Sequence, residues 1–210
     1  MASRLNGPNS AAFWHWCSNK SSHELSQQSY RLADVQNPRK IGFPMIEIAL
    51  YQPDIAPNAA TIARLCACFG LKLTIIEPAG FVFSDSAFRR AGMDYLNQVD
   101  MVRSPSWSDF LAANGGRRMV LLTTKATQTH VTFQFEANDI LLLGRESAGV
   151  PDSVHDALPH RIRIPMRPQT RSLNVALAAS IVAGEALRQL GQFPTVPVDA
   201  KVPIANLGES

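Results

Sequence analysis

Charge is scarce in this chain of 210 residues: only 18% are Asp, Glu, Lys or Arg. A global electrostatic field over the molecule is therefore not expected. Cysteine is scarcer still, with Cys17, Cys66 and Cys68 alone. The count is odd, and no CxxC pair or Cys/His ligand spacing is present. A disulfide framework, a zinc site and any other metal site are therefore not expected. Cys66 and Cys68 lie in an apolar run and read as buried free thiols. No apolar run approaches the roughly 20 residues that span a bilayer, so no membrane partner is expected. The chain also lacks GxGxxG, which sets aside a nicotinamide-type Rossmann oxidoreductase. No Lys-Ser or Lys-Thr follows Gly149, which sets aside a Walker loop. These absences point to a soluble protein of a reducing, cytoplasmic compartment.

What is present is ample apolar material, 46% of the residues, enough for one packed domain. The formal net charge is +3, compatible with a nucleic-acid partner without demanding one. Its placement is more informative. Residues 1–44 hold Arg4, Lys20, Arg31, Arg39 and Lys40 against Glu24 and Asp34, so they carry the whole excess and leave the rest formally neutral. An RNA site in the core must then be a local patch. The same segment is rich in Ser, Asn and Gln, shows no sustained period, and holds a small cluster of Phe13, Trp14 and Trp16. It reads as a disordered leader or as an extension upstream of Met45. A transit peptide is a third reading, against which its acids and weak amphipathicity count. The expected division is 1–44 as that extension, 45–192 as the folded domain and 193–210 as a flexible tail.

From Met45 strands and helices alternate. Strands are expected at Ile46–Tyr51, Leu73–Ile76, Val99–Arg103, Met119–Thr123, Asp139–Leu143 and Ile162–Ile164. Helices are expected at Ala59–Phe69, with Asn58 as N-cap and Gly70 as stop, at Ser86–Gly92, at Ser106–Asn114, and at Ser172–Leu190, closed by Gly191. The turn Glu77-Pro78-Ala79-Gly80 follows the second strand. This alternation predicts an α/β domain with a mostly parallel sheet flanked by helices.

Three stretches sit where ligands bind in such sheets, at the junction of a strand end, a loop and a helix. The first is Pro57-Asn58-Ala59-Ala60-Thr61-Ile62-Ala63-Arg64, with Arg64 a lone cation on an apolar helix. The second is Leu141-Leu142-Leu143-Gly144-Arg145-Glu146-Ser147-Ala148-Gly149-Val150-Pro151, where Gly144 offers a ligand close approach to backbone. The third is Ile162-Arg163-Ile164-Pro165-Met166 followed by Arg171-Ser172-Leu173-Asn174, with Ser172 as N-cap. Taken singly, each has a plain structural account: a surface arginine, an ordinary strand-to-helix turn, a capped helix.

Their order and spacing together resemble the SPOUT (trefoil-knot) methyltransferases. Within that class the chain is similar to the small tRNA (cytidine/uridine-34 2′-O)-methyltransferases, over roughly residues 46–191. Further matching segments are Ile75-Ile76-Glu77-Pro78 with Gly80-Phe81, then Arg89-Arg90-Ala91-Gly92-Met93-Asp94-Tyr95, Leu122-Thr123-Thr124-Lys125, and Glu185-Ala186-Leu187-Arg188-Gln189. The chain departs from the pattern in three places. Ala59-Ala60 replace Thr-Gly, Ala176-Leu177 replace Ser-Asn, and Arg145 replaces a common proline.

The resemblance implies a C-terminal deep trefoil knot, a homodimer with its active site at the subunit interface, and S-adenosyl-L-methionine as cofactor. It places cofactor contacts at Leu122, Gly144, Ile164 and Ser172. It implies catalytic roles for Arg64, Asn174 and Ser172, with Glu146 a weaker candidate. Arg89, Arg90 and Lys125 become candidate contacts to the backbone phosphates of tRNA at its anticodon region, the alternative for each being a solvated charged face. The implied activity is 2′-O-methylation of the wobble nucleotide. The alternative is a knotted RNA-binding protein without catalysis, suggested by Ala59-Ala60 alone.

Overall fold

The computed structural model describes residues 45–82 and 99–194. Its frame is a parallel sheet of seven strands: β1 Glu47–Tyr51, β2 Lys72–Ile76, β3 Asp100–Ser104, β4 Met119–Leu122, β5 Gln128–Thr129, β6 Ile140–Leu143 and β7 His160–Arg163. They run side by side in the order β3-β2-β1-β6-β4-β7-β5. The described helices are α1 Ala56–Phe69, α2 Trp107–Ala113, α3 Asp152–Ala157 and α4 Val175–Leu190. The expected α/β architecture is thus present, with each predicted strand found to within a residue or two. The helix expected at Ser86–Gly92 lies outside the described residues.

Alternation along the central strands explains why both faces are covered. Ile48 and Leu50 of β1, with Leu141 and Leu143 of β6, point to one face and bury against Ile62, Ala63 and Cys66 of α1 and Ala179, Val182 and Ala186 of α4. Ala49, Tyr51, Ile140 and Leu142 point to the other face and meet Phe110 of α2 and Val154 of α3. Successive side chains of a strand face opposite ways, so strands buried on both sides must be apolar throughout, as ILLL of β6 is. Each fully buried Leu or Ile contributes about 1.5–3 kcal/mol relative to exposure.

Two details of the helix starts differ from expectation. Helix α1 begins at Ala56, after Ile55, and has no side-chain cap. Pro57, tolerated only in a first turn, fixes that start, so Asn58 lies inside the helix with its amide free for other work. Helix α4 is capped by Asn174, whose Oδ1 accepts from the N–H groups of Ala176 (2.8 Å) and Leu177 (3.4 Å). Ser172 is therefore not the cap; the chain is still non-helical there. Gly70 and Gly191 do end their helices, both with positive φ. Cys66 is buried as expected, but Cys68 is exposed, because residues two apart in a helix point about 200° away from each other.

The two ends of the sheet have different chemistry. At the N-terminal ends, buried Glu47 accepts from the Thr74 hydroxyl at 2.6 Å and pairs with Arg117 and Lys72. Buried Asp139 takes Arg118 through both oxygens at 2.7 and 2.8 Å. These charges are satisfied by one another and hold strand starts together. The C-terminal ends of β4, β6 and β7 open instead into a cavity.

Candidate active site

The cavity measures about 590 Å³, within the range of sites that bury a drug-sized ligand. Its walls come from three places far apart in sequence. Leu121 to Lys125 follow β4, Leu143 to Val150 follow β6, and Ile164, Met166 and Ser172 to Val175 follow β7. Asn58 of α1 completes one side. The structure thus brings together Leu122, Gly144, Ile164, Ser172, Asn174 and Lys125. Arg64 is not brought in: it lies on the exposed face of α1, outside the cavity wall. The six-residue separation from Asn58 amounts to about 9 Å along the helix axis. Arg89 and Arg90 lie outside the described residues.

A line of hydrogen bonds joins the three motifs. Glu146 accepts from the Asp54 backbone N–H at 2.8 Å and from the Asn58 amide at 3.0 Å. The Asn174 amide in turn donates to Asn58 Oδ1 at 2.9 Å. The second motif is thereby tied to the first, and the first to the third. Asn174 uses its oxygen to cap α4 and its nitrogen to hold Asn58, so both ends of its amide are engaged. Ser172 differs: it is exposed at the wall and its hydroxyl makes no hydrogen bond within the described residues.

A second tie runs alongside. Asp54 accepts from Arg145 Nε at 3.1 Å and Nη2 at 2.6 Å, and from the Ser147 hydroxyl at 2.5 Å and its N–H at 3.1 Å. These donors, Arg145 first and then Ser147, hold the Asp54 carboxyl down at about 2, so it is ionised throughout the neutral range. The chain reaches this position by a sharp turn at Gln52, a non-glycine residue at φ 46° just before Pro53.

Gly144 has a different reason from the one read in the sequence. A Cβ built on it would lie 2.5 Å from the carbonyl carbon of Gly149 and 2.7 Å from its Cα. The close approach is by the chain's own backbone. Arg145 and Gly149 exchange hydrogen bonds of 3.0 and 2.8 Å, closing the loop into a small hairpin whose base leaves no room for a side chain. Gly149 itself turns at φ +70°, with open space where its Cβ would be.

Sequence reasoning missed several wall residues. Helix α3 carries His155 into the wall; its signal was Pro151 followed by an acid in the first turn. Asp54 and Arg145 stand 91 residues apart, and nothing local couples them. The departure Ala59-Ala60 does not reach the cavity wall: both residues are 1% exposed in the core and neither lines the cavity. No group of metal-binding side chains occurs among the described residues, and no described helix is long and apolar enough to cross a membrane.

A parallel sheet with helices on both faces, and a cavity at its carboxyl ends built from three loop motifs, defines an α/β ligand-binding domain of enzyme type. Comparison gives the family: residues 45–184 match the model of the SpoU rRNA Methylase family, and the chain belongs to it. A relative from Beijerinckia indica, a tRNA (cytidine(34)-2'-O)-methyltransferase, is 58% identical over 151 residues, 71% of this chain and 94% of its own. One of the same name from Escherichia coli K12 is 46% identical, over 70% of this chain and 95% of its own. A solved structure concerned with 2-OH methylation of C/U34 on tRNA has 38% identity and a TM-score of 0.67, covering 70% of this chain and 97% of that one. An AdoMet-bound rRNA methyltransferase from Sinorhizobium meliloti has 25% identity and a TM-score of 0.63, over 70% and 57% of the two chains.

Proposed function

We propose that the chain is a tRNA 2′-O-methyltransferase that uses S-adenosyl-L-methionine to methylate the wobble nucleotide, position 34, whether cytidine or a modified uridine. The observation that carries this reading is the convergence of all three motifs on one cavity at the carboxyl ends of β4, β6 and β7. The cavity fits the cofactor in size and in chemistry. Leu122, Gly144 and Ile164 offer apolar strand ends to receive an adenine, and Ser172 offers an uncommitted hydroxyl. The further reading is that this region forms a deep trefoil knot whose loops would hold the cofactor.

When bound, the cofactor supplies a methyl group already activated by a positive sulfur. The protein's remaining work is to position the ribose 2′-oxygen in line with that methyl and to assist loss of its proton. Ser172 stands at the wall where a hydroxyl can orient either reactant. Asn174 acts as a positioning residue, since it sets the start of α4 and holds Asn58. Glu146 performs the same service for the first motif. Arg64 would orient the phosphate beside the target ribose or favour the alkoxide. Lys125, exposed at the rim and only loosely held to Asp152 at 3.4 Å, is placed for a backbone phosphate; Arg89 and Arg90 have the same assignment.

The proposed assembly is a cytoplasmic homodimer. Leu173, Leu177 and Ile181 are 38%, 58% and 42% exposed along and just before α4, and Ile55 is 44% exposed at the head of α1. Such a stripe beside the cavity suits a second copy. The reading of an RNA-binding protein without catalysis loses its motive, because Ala59 and Ala60 are core residues. The direct test is transfer of a tritiated methyl from the cofactor to unmodified tRNA, followed by mapping of the product. Label at the 2′-oxygen of position 34 is expected; binding of tRNA without transfer overturns the proposal.

Residues 45–192 form the proposed catalytic domain, in keeping with a family match that starts at Met45. A protein starting at Met45 is therefore expected to dimerise and to methylate tRNA within about twofold of the full chain, since residues 45–184 carry the family match and a domain with its own core can fold alone. Sedimentation and turnover assays check this. A loss of tenfold or more would make the leader part of the RNA site.

A further inference from the structure

Arg145 has a place in the site that the motif comparison does not give it, since it departs from the family pattern there. Its backbone is fixed on both sides by the hydrogen bonds it exchanges with Gly149, so its side chain leaves the cavity wall in a set direction. Nε and Nη2 both bind Asp54 Oδ1, at 3.1 and 2.6 Å. Within the described residues Nη1 has no partner, and the side chain is 39% exposed. The guanidinium is thus held in one orientation with an open edge at the cavity mouth. Glu146 is the only acid among the described residues of the cavity wall, and its oxygens are already engaged by Asp54 N–H and Asn58. An anion arriving at this rim meets the open Nη1 edge of Arg145, with the Glu146 oxygens turned to the Asp54 N–H and the Asn58 amide.

We propose that Arg145 is a positioning residue that takes a backbone phosphate of the RNA beside the target nucleotide, with Asp54 holding the guanidinium in place. This rests on the reading that the substrate is RNA. The phosphate is favoured over the cofactor's carboxylate because Arg145 runs along the rim toward Asp54, which does not line the cavity, and not inward to the strand ends. A planar guanidinium with one edge anchored and the other open suits phosphate recognition better than a lysine does.

The ion pair makes the role testable by sign. Arg145→Ala leaves an uncompensated Asp54 carboxylate on the RNA path, whereas Asp54→Asn leaves an uncompensated guanidinium. With an unmodified tRNA transcript carrying cytidine at position 34, Arg145→Ala is expected to weaken binding about tenfold, with cofactor affinity by calorimetry within twofold. Arg145→Lys should recover part of the loss. Asp54→Asn should bind the transcript at least as tightly as the wild type, with a steeper dependence on salt, since one more cation faces the phosphates. A mere latch between loops predicts instead that both variants lose tRNA affinity and melting temperature alike, and that result overturns the proposal. Loss confined to cofactor affinity in Arg145→Ala overturns it in favour of the carboxylate. Wild-type protein is assayed for methyl transfer alongside. Failure there would refute the methyltransferase reading, whereas wild-type turnover with undiminished tRNA binding by Arg145→Ala refutes this inference alone.

Discussion

Arg64→Ala is expected to cut single-turnover methyl transfer by on the order of 10²-fold or more, while the melting temperature and cofactor affinity stay near wild type. The structure supports the second half directly. Arg64 lies on the exposed face of α1 and outside the cavity wall, so its loss opens no cavity in the core. An exposed charge contact contributes about 0–1 kcal/mol. The first half follows from its place on the helix that begins beside the cavity with Asn58. A cation about 1.7 turns further along that helix, outside the cavity wall, is placed for a nucleotide or a second protomer laid across α1 and not for a ligand inside the cavity. The effect should therefore appear in turnover at saturating cofactor. Arg64→Lys should rescue poorly, because an ammonium cannot reproduce a two-pronged contact to phosphate. Wild-type turnover by Arg64→Ala would remove the residue from the chemistry and leave it a surface arginine.

The contrast between Arg64 and Asn58 shows which parts of the site are legible in sequence. Both belong to the first motif, six residues apart, and the motif alone suggests that they act together. The helix separates them, because six residues at 100° each place side chains on different faces. Periodicity was enough for the frame: the apolar runs of β1 and β6, the stops at Gly70 and Gly191, and the helix Val175–Leu190 all follow from local rules. Helix starts were less legible where two capping candidates competed, as Ser172 and Asn174 do. There the choice is made by contact with Asn58, 116 residues away. Strand β5 spans two residues and carries no period at all. The partnership of Asp54 with Arg145 was invisible for the same reason: it exists only after β6 has taken its place beside β1 in the sheet. Sequence proximity reveals caps and turns; it does not reveal which loops meet at the carboxyl edge of a parallel sheet.

Gly144→Ala is expected to be far more damaging than Gly149→Ala, although sequence intuition reads both as loop glycines. At Gly144 the added carbon would lie 2.5 Å from the Gly149 carbonyl carbon and 2.8 Å from Val150 N, distances that no side-chain adjustment can relieve because the obstacle is backbone. The hairpin held by Arg145 and Gly149 must open, and with it the loop that carries Glu146 to Asn58 and Asp54. Overpacking of this kind costs about 1–3 kcal/mol, occasionally more, which for a domain of this size is a fall of roughly 2–12 °C in melting temperature. Cofactor affinity should drop by on the order of 10²-fold, since the wall after β6 is dismantled. Gly149→Ala meets open space and has to bear only the strain of a left-handed φ, about 1–2 kcal/mol, with the hairpin bonds intact. Its cofactor affinity should stay within a few-fold of wild type. Calorimetric melting and cofactor titration of the two variants separate these cases. Gly144→Val would repeat the Gly144→Ala result for the same backbone reason, so a loss of affinity in it would not by itself locate the ligand. If Gly144→Ala melted and bound cofactor like wild type, the loop would have another closed conformation and the account of its glycine would be wrong.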